Sequence, residues 1–314
     1  MVNRQNSLRV LVLGANGFIG SHLCDRLLKL GHHVRAFDRP GAPPYRDFAP
    51  GESITWHWGD FRSKATLDAA LDEVDIVYHL ISTTNPKTAN ENPMADVQSN
   101  VVHSIQLLDL IVSKSSPPKL IFVSSGGTVY GIPQVSPISE NHPTEPISAY
   151  GLGKLTIEKY INLYRQLRGL DSVVLRLSNP YGPGQKPGTG QGVIATFVDL
   201  ALKEQPIEIW GDGTTIRDYL YISDAVTALS ALAEIRCNHH VYNIGSGVGH
   251  SLNVVISAIE ETLGRKLEKL YKPSRGFDAR ENILDISRII SQIDWTPQTE
   301  LNTGLLAVID AFRL

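Results

Sequence analysis

Cysteine is scarce. The 314 residues hold two, Cys24 and Cys237, with no spacing that suits a metal site. That excludes a disulfide scaffold and a zinc centre, and it fits a reducing compartment. Both fall inside helical patterns and read as buried free thiols. An excess of positive charge is lacking too. Lys and Arg number 29 against 32 Asp and Glu, and the formal net charge is −3. No field exists to attract nucleic acid, and no polybasic patch to hold a membrane. Apolar runs of membrane-spanning length are missing. The polar opening, Met1 to Ser7, has no apolar core of a secretion signal. The expected location is cytoplasmic. Repeats, low-complexity tracts and long linkers are absent as well. His239 and His240 have no third ligand nearby, so no metal is expected. What remains is an ordinary globular chain, 42% hydrophobic and 19% charged, long enough for one large or two modest cores.

The first forty residues carry the most local information. A short apolar run at 8–13 suits a buried parallel strand. It ends at Gly14-Ala15-Asn16-Gly17-Phe18-Ile19-Gly20. A helical pattern follows over 21–30 and stops at Gly31. A second strand, 33–38, ends in Asp38. Strand, glycine turn, helix, strand and terminal acid make a dinucleotide-binding unit. The glycines let the backbone approach a pyrophosphate, and the helix N-terminus offers N–H groups and a positive dipole end. Asp38 can accept from both adenosine ribose hydroxyls and would repel a 2′-phosphate. Arg39 partly offsets it, so NAD is preferred over NADP.

Strand and helix patterns then alternate. Strands are expected at 54–58, 75–80, 120–123 and 172–177, with helices at 63–71, 95–113 and 148–167. Residues 81–94, with Pro86 and Pro93, read as a polar loop. The pattern is that of an α/β protein with a doubly wound parallel sheet, whose ligands bind at the carboxyl ends of the strands. Gly14, Asp38, Asp60, His79 and Ser125 all fall near such ends. After 177 the texture changes to a glycine-rich loop and short elements, including strands at 207–210, 215–220 and 241–244. We assign 1–178, with a return segment at about 217–238, to a nucleotide-binding domain. Residues 179–216 and 239–314 form a smaller mixed α/β substrate domain over the sheet's carboxyl edge, leaving a cleft.

Tyr150 and Lys154 stand four apart at the start of a helical pattern and share a face. An ammonium beside a phenol lowers the phenol's pKa, and a phenol that ionises near neutral pH is a general base.

Together these motifs resemble the extended short-chain dehydrogenase/reductase family, in its NAD-dependent nucleotide-sugar epimerase/dehydratase branch. They are Gly14-x-x-Gly17-x-x-Gly20, Asp38, Gly59-Asp60, Tyr78-His79-Leu80, Asn100-Val101 and Ser124-Ser125 with Val129-Tyr130-Gly131. Further along come Tyr150-x-x-x-Lys154, Arg176 to Pro183, Arg217-Asp218-Tyr219 and Arg275-x-x-Asp278. The resemblance implies a Rossmann-like fold, NAD as cofactor, a nucleotide-diphosphate sugar as substrate and a homodimer. It implies Tyr150 as catalytic base and Lys154 on the nicotinamide ribose. Asp60 would contact adenine. Asn16, Phe18, Ile19, Arg39, Phe61, Leu80, Ser82, Asn100 and Ser124 complete the implied cofactor set. Thr84, Gly126, Asn179, Val193, Trp210, Arg217, Arg275 and Asp278 form the implied substrate set. Arginine suits forked phosphate recognition. The alternatives are surface ion pairs, Arg217 with Asp218 and Arg275 with Asp278. Trp210 flanks a nucleotide base or belongs to the core. His79 reads as a satisfied strand-end histidine.

One position departs from the family. A Ser or Thr is expected four residues before Tyr130, hydrogen-bonding the reacting sugar oxygen; Gly126 stands there. Ser125 or Thr128 would have to supply the hydroxyl. The acidic residues of the dehydratase and decarboxylase branches are also missing, because Gly127-Thr128 occupies their place. Elimination therefore lacks its proton donor. The expectation is 4-epimerisation of a UDP-hexose type of substrate through a 4-keto sugar. The alternatives are net oxidoreduction and non-catalytic NAD binding.

Overall fold

The structure, a computed structural model, describes residues 7–41, 43–274 and 279–313. Its first strand, Arg9–Leu13, shows how the core is laid out. Val10 to Leu13 are all fully buried. Side chains alternate across a strand, so both faces of the sheet must be covered. Val10 and Val12 pack with Leu23 and Leu27 of the helix Phe18–Lys29 and with Ala225 and Leu229 of the helix Ile222–Ala231. Leu11 and Leu13 pack with Leu107 and Ile111 of the helix His103–Ser113 and with Ile157 and Ile161 of the helix Ala149–Arg168. Each such side chain contributes about 1.5–3 kcal/mol by leaving water.

Seven strands form the large sheet, all parallel, as the α/β pattern predicts. Across the sheet the order is Val241–Ile244, Ser172–Leu177, Lys119–Ser125, Ile76–His79, Arg9–Leu13, His33–Asp38, Ile54–Trp58. The edge strand Val241–Ile244 pairs with Ser172–Leu177. The sequence pattern groups it with 239–314, because parallel partners distant along the chain leave no local mark. In the second region, Ile216–Tyr221 pairs with Gly249–Ser251, Glu281–Asn282 and Asn179–Tyr181. Ile207–Trp210 pairs with Lys269–Lys272. A separate apolar cluster around Phe197, Ile209, Ile259 and Val308 holds these elements together.

Three local expectations need correction. The polar loop at 81–94 contains a helix, Pro86–Glu91, capped reciprocally by Asn85 and Thr88 with Pro86 in its first turn. The expected helix 95–113 is interrupted by a π-helical segment, Val97–Val102. Cys237 lies outside any helix and is only half-buried, whereas Cys24 is helical and buried, with its thiol pushed up by that burial. Among the described residues, no helix is long and apolar enough to cross a membrane.

Candidate active site

The turn after Arg9–Leu13 is shaped by close backbone contacts. Gly14 has φ +89°, and a Cβ on Gly20 would sit 2.1 Å from the Gly14 carbonyl oxygen. Helix Phe18–Lys29 starts at Gly17 with no side-chain cap. Its first-turn N–H groups, including those of Phe18 and Ile19, therefore suit an anion. Asp38 stands at the end of its strand, where Oδ2 accepts from the Asn16 N–H at 2.9 Å and Oδ1 from the Arg39 N–H at 2.8 Å. Both carboxylate oxygens are thus fixed beside the turn. A glycine cradle, an uncapped helix end and a fixed acid together fit a dinucleotide. The remaining expected cofactor residues divide. The Leu80 main-chain carbon lies 3.5 Å from where a Cβ on Gly14 would be. Asp60 is exposed, and Arg62 hydrogen-bonds it and holds its carboxyl down at about 2. Phe61 turns its ring into the core, 5.1 Å from His79, so it offers a ligand main chain only. Ser124 is buried and donates to Glu158 at 2.5 Å. Glu158 in turn forms a buried ion pair with Arg176 at 2.7 Å.

Tyr150 and Lys154 share a face of the helix Ala149–Arg168, whose N-terminus is capped by Ser148. Lys154 is 7% exposed and donates from Nζ to the Val123 carbonyl at 3.1 Å. Its ammonium stands 5.8 Å from the Tyr150 ring centre and 5.0 Å from that of Phe122. Burial lowers the lysine to about 8, opposed by the charges of Asp96 and Glu158. The expected lowering of the phenol by Lys154 is not found. Burial dominates and pushes the Tyr150 phenol up. Hydrogen bonding with Ser82 and Gln191 pulls it down, and Asp96 pushes it up further. The ammonium contacts a carbonyl and two ring faces, and burial of the phenol outweighs it. His79 is buried with Nε2 2.8 Å from Ser104 Oγ, and burial lowers it to about 3. It is a structural histidine.

Beside Tyr150, a network ties the loop at 82–84 to the π-helical turn. Asn100 Oδ1 accepts from the Thr83 N–H at 2.9 Å, and its Nδ2 donates to Thr84 Oγ1 at 3.0 Å and to Asp96 Oδ1 at 2.9 Å. Thr84 Oγ1 also donates to Asp96. Thr84 and Asn100 thus serve each other in addition to any ligand.

The loop after Lys119–Ser125 explains its own glycine. A Cβ on Gly126 would lie 2.6 Å from Leu284 Cδ1 and 3.1 Å from the Arg176 carbonyl oxygen. Leu284 is placed there by a bridge to Ile138, and Asn282 Nδ2 donates to the Gly126 carbonyl at 3.2 Å. The two candidate hydroxyls differ. Thr128 Oγ1 is buried and has no partner. Ser125 is half-exposed. Its Oγ and Asn179 Oδ1 lie 4.0 and 3.8 Å from the point where Gly127 would carry a Cβ. Ser125 and Asn179 therefore flank one small open space.

Substrate-side residues spread over the second region. Asn179 Nδ2 donates to the Asp218 carbonyl at 3.0 Å. Val193 opens the helix Val193–Leu202. Trp210, 44% exposed, ends its strand and is not core. Arg217 Nη1 donates to the carbonyls of Ile216 and Ala279 at 2.8 and 2.9 Å. Asp218 does not serve as its surface partner. It is fully buried and accepts from the N–H and Oγ of Ser246 and the N–H groups of Gly247 and Leu284. Arg275 and Asp278 lie outside the described residues. Among the described residues, no cluster of three His, Cys, Asp or Glu side chains is placed to hold a metal. Sequence reasoning missed Asp96 and Gln191. The first shares a helical face with Asn100, a usable signal; the second lies in a glycine-rich loop with none.

Comparisons with known proteins bear on the family and the fold. The model of the NAD dependent epimerase/dehydratase family matches residues 10–245. The UDP-glucose 4-epimerase of Mycolicibacterium smegmatis is 33% identical over 318 residues, covering 98% of this chain and 99% of that one. A dTDP-4-dehydro-6-deoxyglucose reductase of Escherichia coli is 32% identical, covering 97% of each. The crystal structure of Thermus thermophilus UDP-glucose 4-epimerase in complex with NAD superposes with a TM-score of 0.89 at 32% identity, over 98% of this chain and 99% of that chain.

Proposed function

The chain belongs to the NAD-dependent epimerase/dehydratase family, and within it we propose that this protein inverts carbon 4 of a UDP-hexose with Tyr150 as the base. The carrying observation is the loop 124–131, which presents hydroxyls and no carboxylate beside Asn179. Elimination and decarboxylation have no acid there; reversible oxidation of a secondary alcohol needs none.

The cofactor is NAD, which supplies a hydride acceptor and a positive charge near the phenol when bound. The turn 14–20 would hold its pyrophosphate, Asp38 its adenosine ribose and Lys154 its nicotinamide ribose. Tyr150 Oη takes the proton of the sugar 4-hydroxyl and returns it after the sugar has turned over. Lys154 favours the phenolate electrostatically, against the burial that opposes it. Ser125, half-exposed beside Asn179, donates to the sugar oxygen in place of the residue missing at Gly126. Thr128 Oγ1 is too buried to reach it. Asn179 and Arg217 orient the diphosphate-bearing substrate, and the Trp210 ring stacks on the uracil face.

Incubation with a panel of UDP-, dTDP- and GDP-sugars, read by product chromatography, tests this. A redox-neutral conversion supports epimerisation. Steady NADH accumulation would favour the reductase reading, which the Escherichia coli relative keeps in view. Tyr150→Phe should lose activity by about 10²–10⁴-fold while retaining NAD; a fully active variant would sink the assignment.

The assembly we propose is a homodimer. Met94, Val97, Val102, Leu152, Leu163 and Leu167 are exposed on the elements from 93 to 113 and on the helix Ala149–Arg168. Sedimentation should give the mass of two chains.

A further inference from the structure

We infer that Asp96 is a positioning residue for the Tyr150–Lys154 pair: its buried carboxylate, seated against Gly153, sets the charge balance of the pair and so the pH range in which it works. The inference rests on the reading of Tyr150 as base. Asp96 is 2% exposed, and a buried carboxylate needs compensation. Its Oδ1 accepts from Asn100 Nδ2 and Thr84 Oγ1. Its other oxygen, Oδ2, lies 2.8 Å from where a Cβ on Gly153 would be. Gly153 stands three residues after Tyr150, one turn along the helix, and its lack of a side chain lets the carboxylate approach.

The groups facing the pair leave Asp96 as the unbalanced charge. Glu158, on the same helix as Lys154, is neutralised by Arg176 at 2.7 Å. The large sheet offers the Val123 carbonyl, the Phe122 ring and His79, which burial keeps neutral. Ser82 and Gln191, from the loops over the phenol, carry no charge. Among the described residues, Asp96 has no cation within ion-pair distance. A negative charge there favours the ammonium and opposes the phenolate.

The signs follow. Without the Asp96 charge, the phenol loses its proton at lower pH, and so does the ammonium. Activity needs phenolate and ammonium together, so the two ionisations of the pair bound the profile on its acid and alkaline sides. Asp96→Asn keeps an acceptor for Thr84 and Asn100 but removes the charge. Both limbs of its kcat/KM profile should therefore move to lower pH. A framework role alone would reduce the rate and leave the limbs in place, and that result would overturn the inference. A second readout needs no turnover: phenolate absorbance of Tyr150, taken as the difference between each protein and its Tyr150→Phe counterpart. It should appear at lower pH in Asp96→Asn. If Tyr150→Phe proves active, the base assignment fails, yet this titration still reports on Asp96; an unmoved titration sinks the role of Asp96 alone. Asp96→Ser repeats the test if the first variant does not fold. Failure of both to fold would assign Asp96 to the framework and overturn the inference.

Discussion

Two glycine-bearing loops lie at the carboxyl ends of strands in one sheet, and they are constrained by different things. In the turn 14–20, the obstacle to a side chain at Gly20 is the main chain of Gly14, six residues away. In the loop 124–131, the nearest obstacle at Gly126 is the side chain of Leu284 at 2.6 Å, brought from far along the sequence, with the Arg176 carbonyl oxygen next at 3.1 Å. A backbone obstacle cannot be removed by substitution; a side-chain obstacle can. Position 20 is therefore closed to variation, and position 126 is tuned mainly by a distant partner.

The largest expected effect is at the backbone-limited site. Gly20→Ala should cost about 3 kcal/mol, the upper end for overpacking, and abolish NAD retention. Thermal unfolding and calorimetric titration with NAD would show it. A stable, NAD-binding variant would erase the contrast between the loops. Gly126→Ser comes next, at about 1–3 kcal/mol. Combined with Leu284→Ala it should couple favourably, since the smaller residue vacates the space; a double-mutant cycle in urea measures this. Strict additivity would mean that Leu284 is not what keeps position 126 a glycine. The smallest effect belongs to the surface. Arg62→Ala removes an exposed partner of Asp60 and should leave the unfolding midpoint nearly unchanged by the same measurement, because solvent screens exposed pairs.

The contrast also explains what was legible beforehand. The glycine turn, Asp38 and the Tyr150–Lys154 spacing are local patterns, and the structure presents them where strand and helix periods predict. Leu284 behind Gly126 and the pairing of Val241–Ile244 with Ser172–Leu177 depend on contacts that no local window contains. The helix Pro86–Glu91 was different, since Asn85-Pro86 is an N-cap followed by a first-turn proline and the signal was available. Spacing misleads on the direction of the Tyr150 shift because it reports a neighbouring charge but not how much water the fold removes.

The bridge between Ile138 and Leu284 has a consequence for the order of synthesis. A chain emerging from the ribosome exposes 14–38 early, and N-terminal segments tend to fold first. Leu284, which shapes position 126, is synthesised long after the loop it packs against. Synthesis therefore sets down the glycine turn well before the residue that fixes the shape of the loop 124–131.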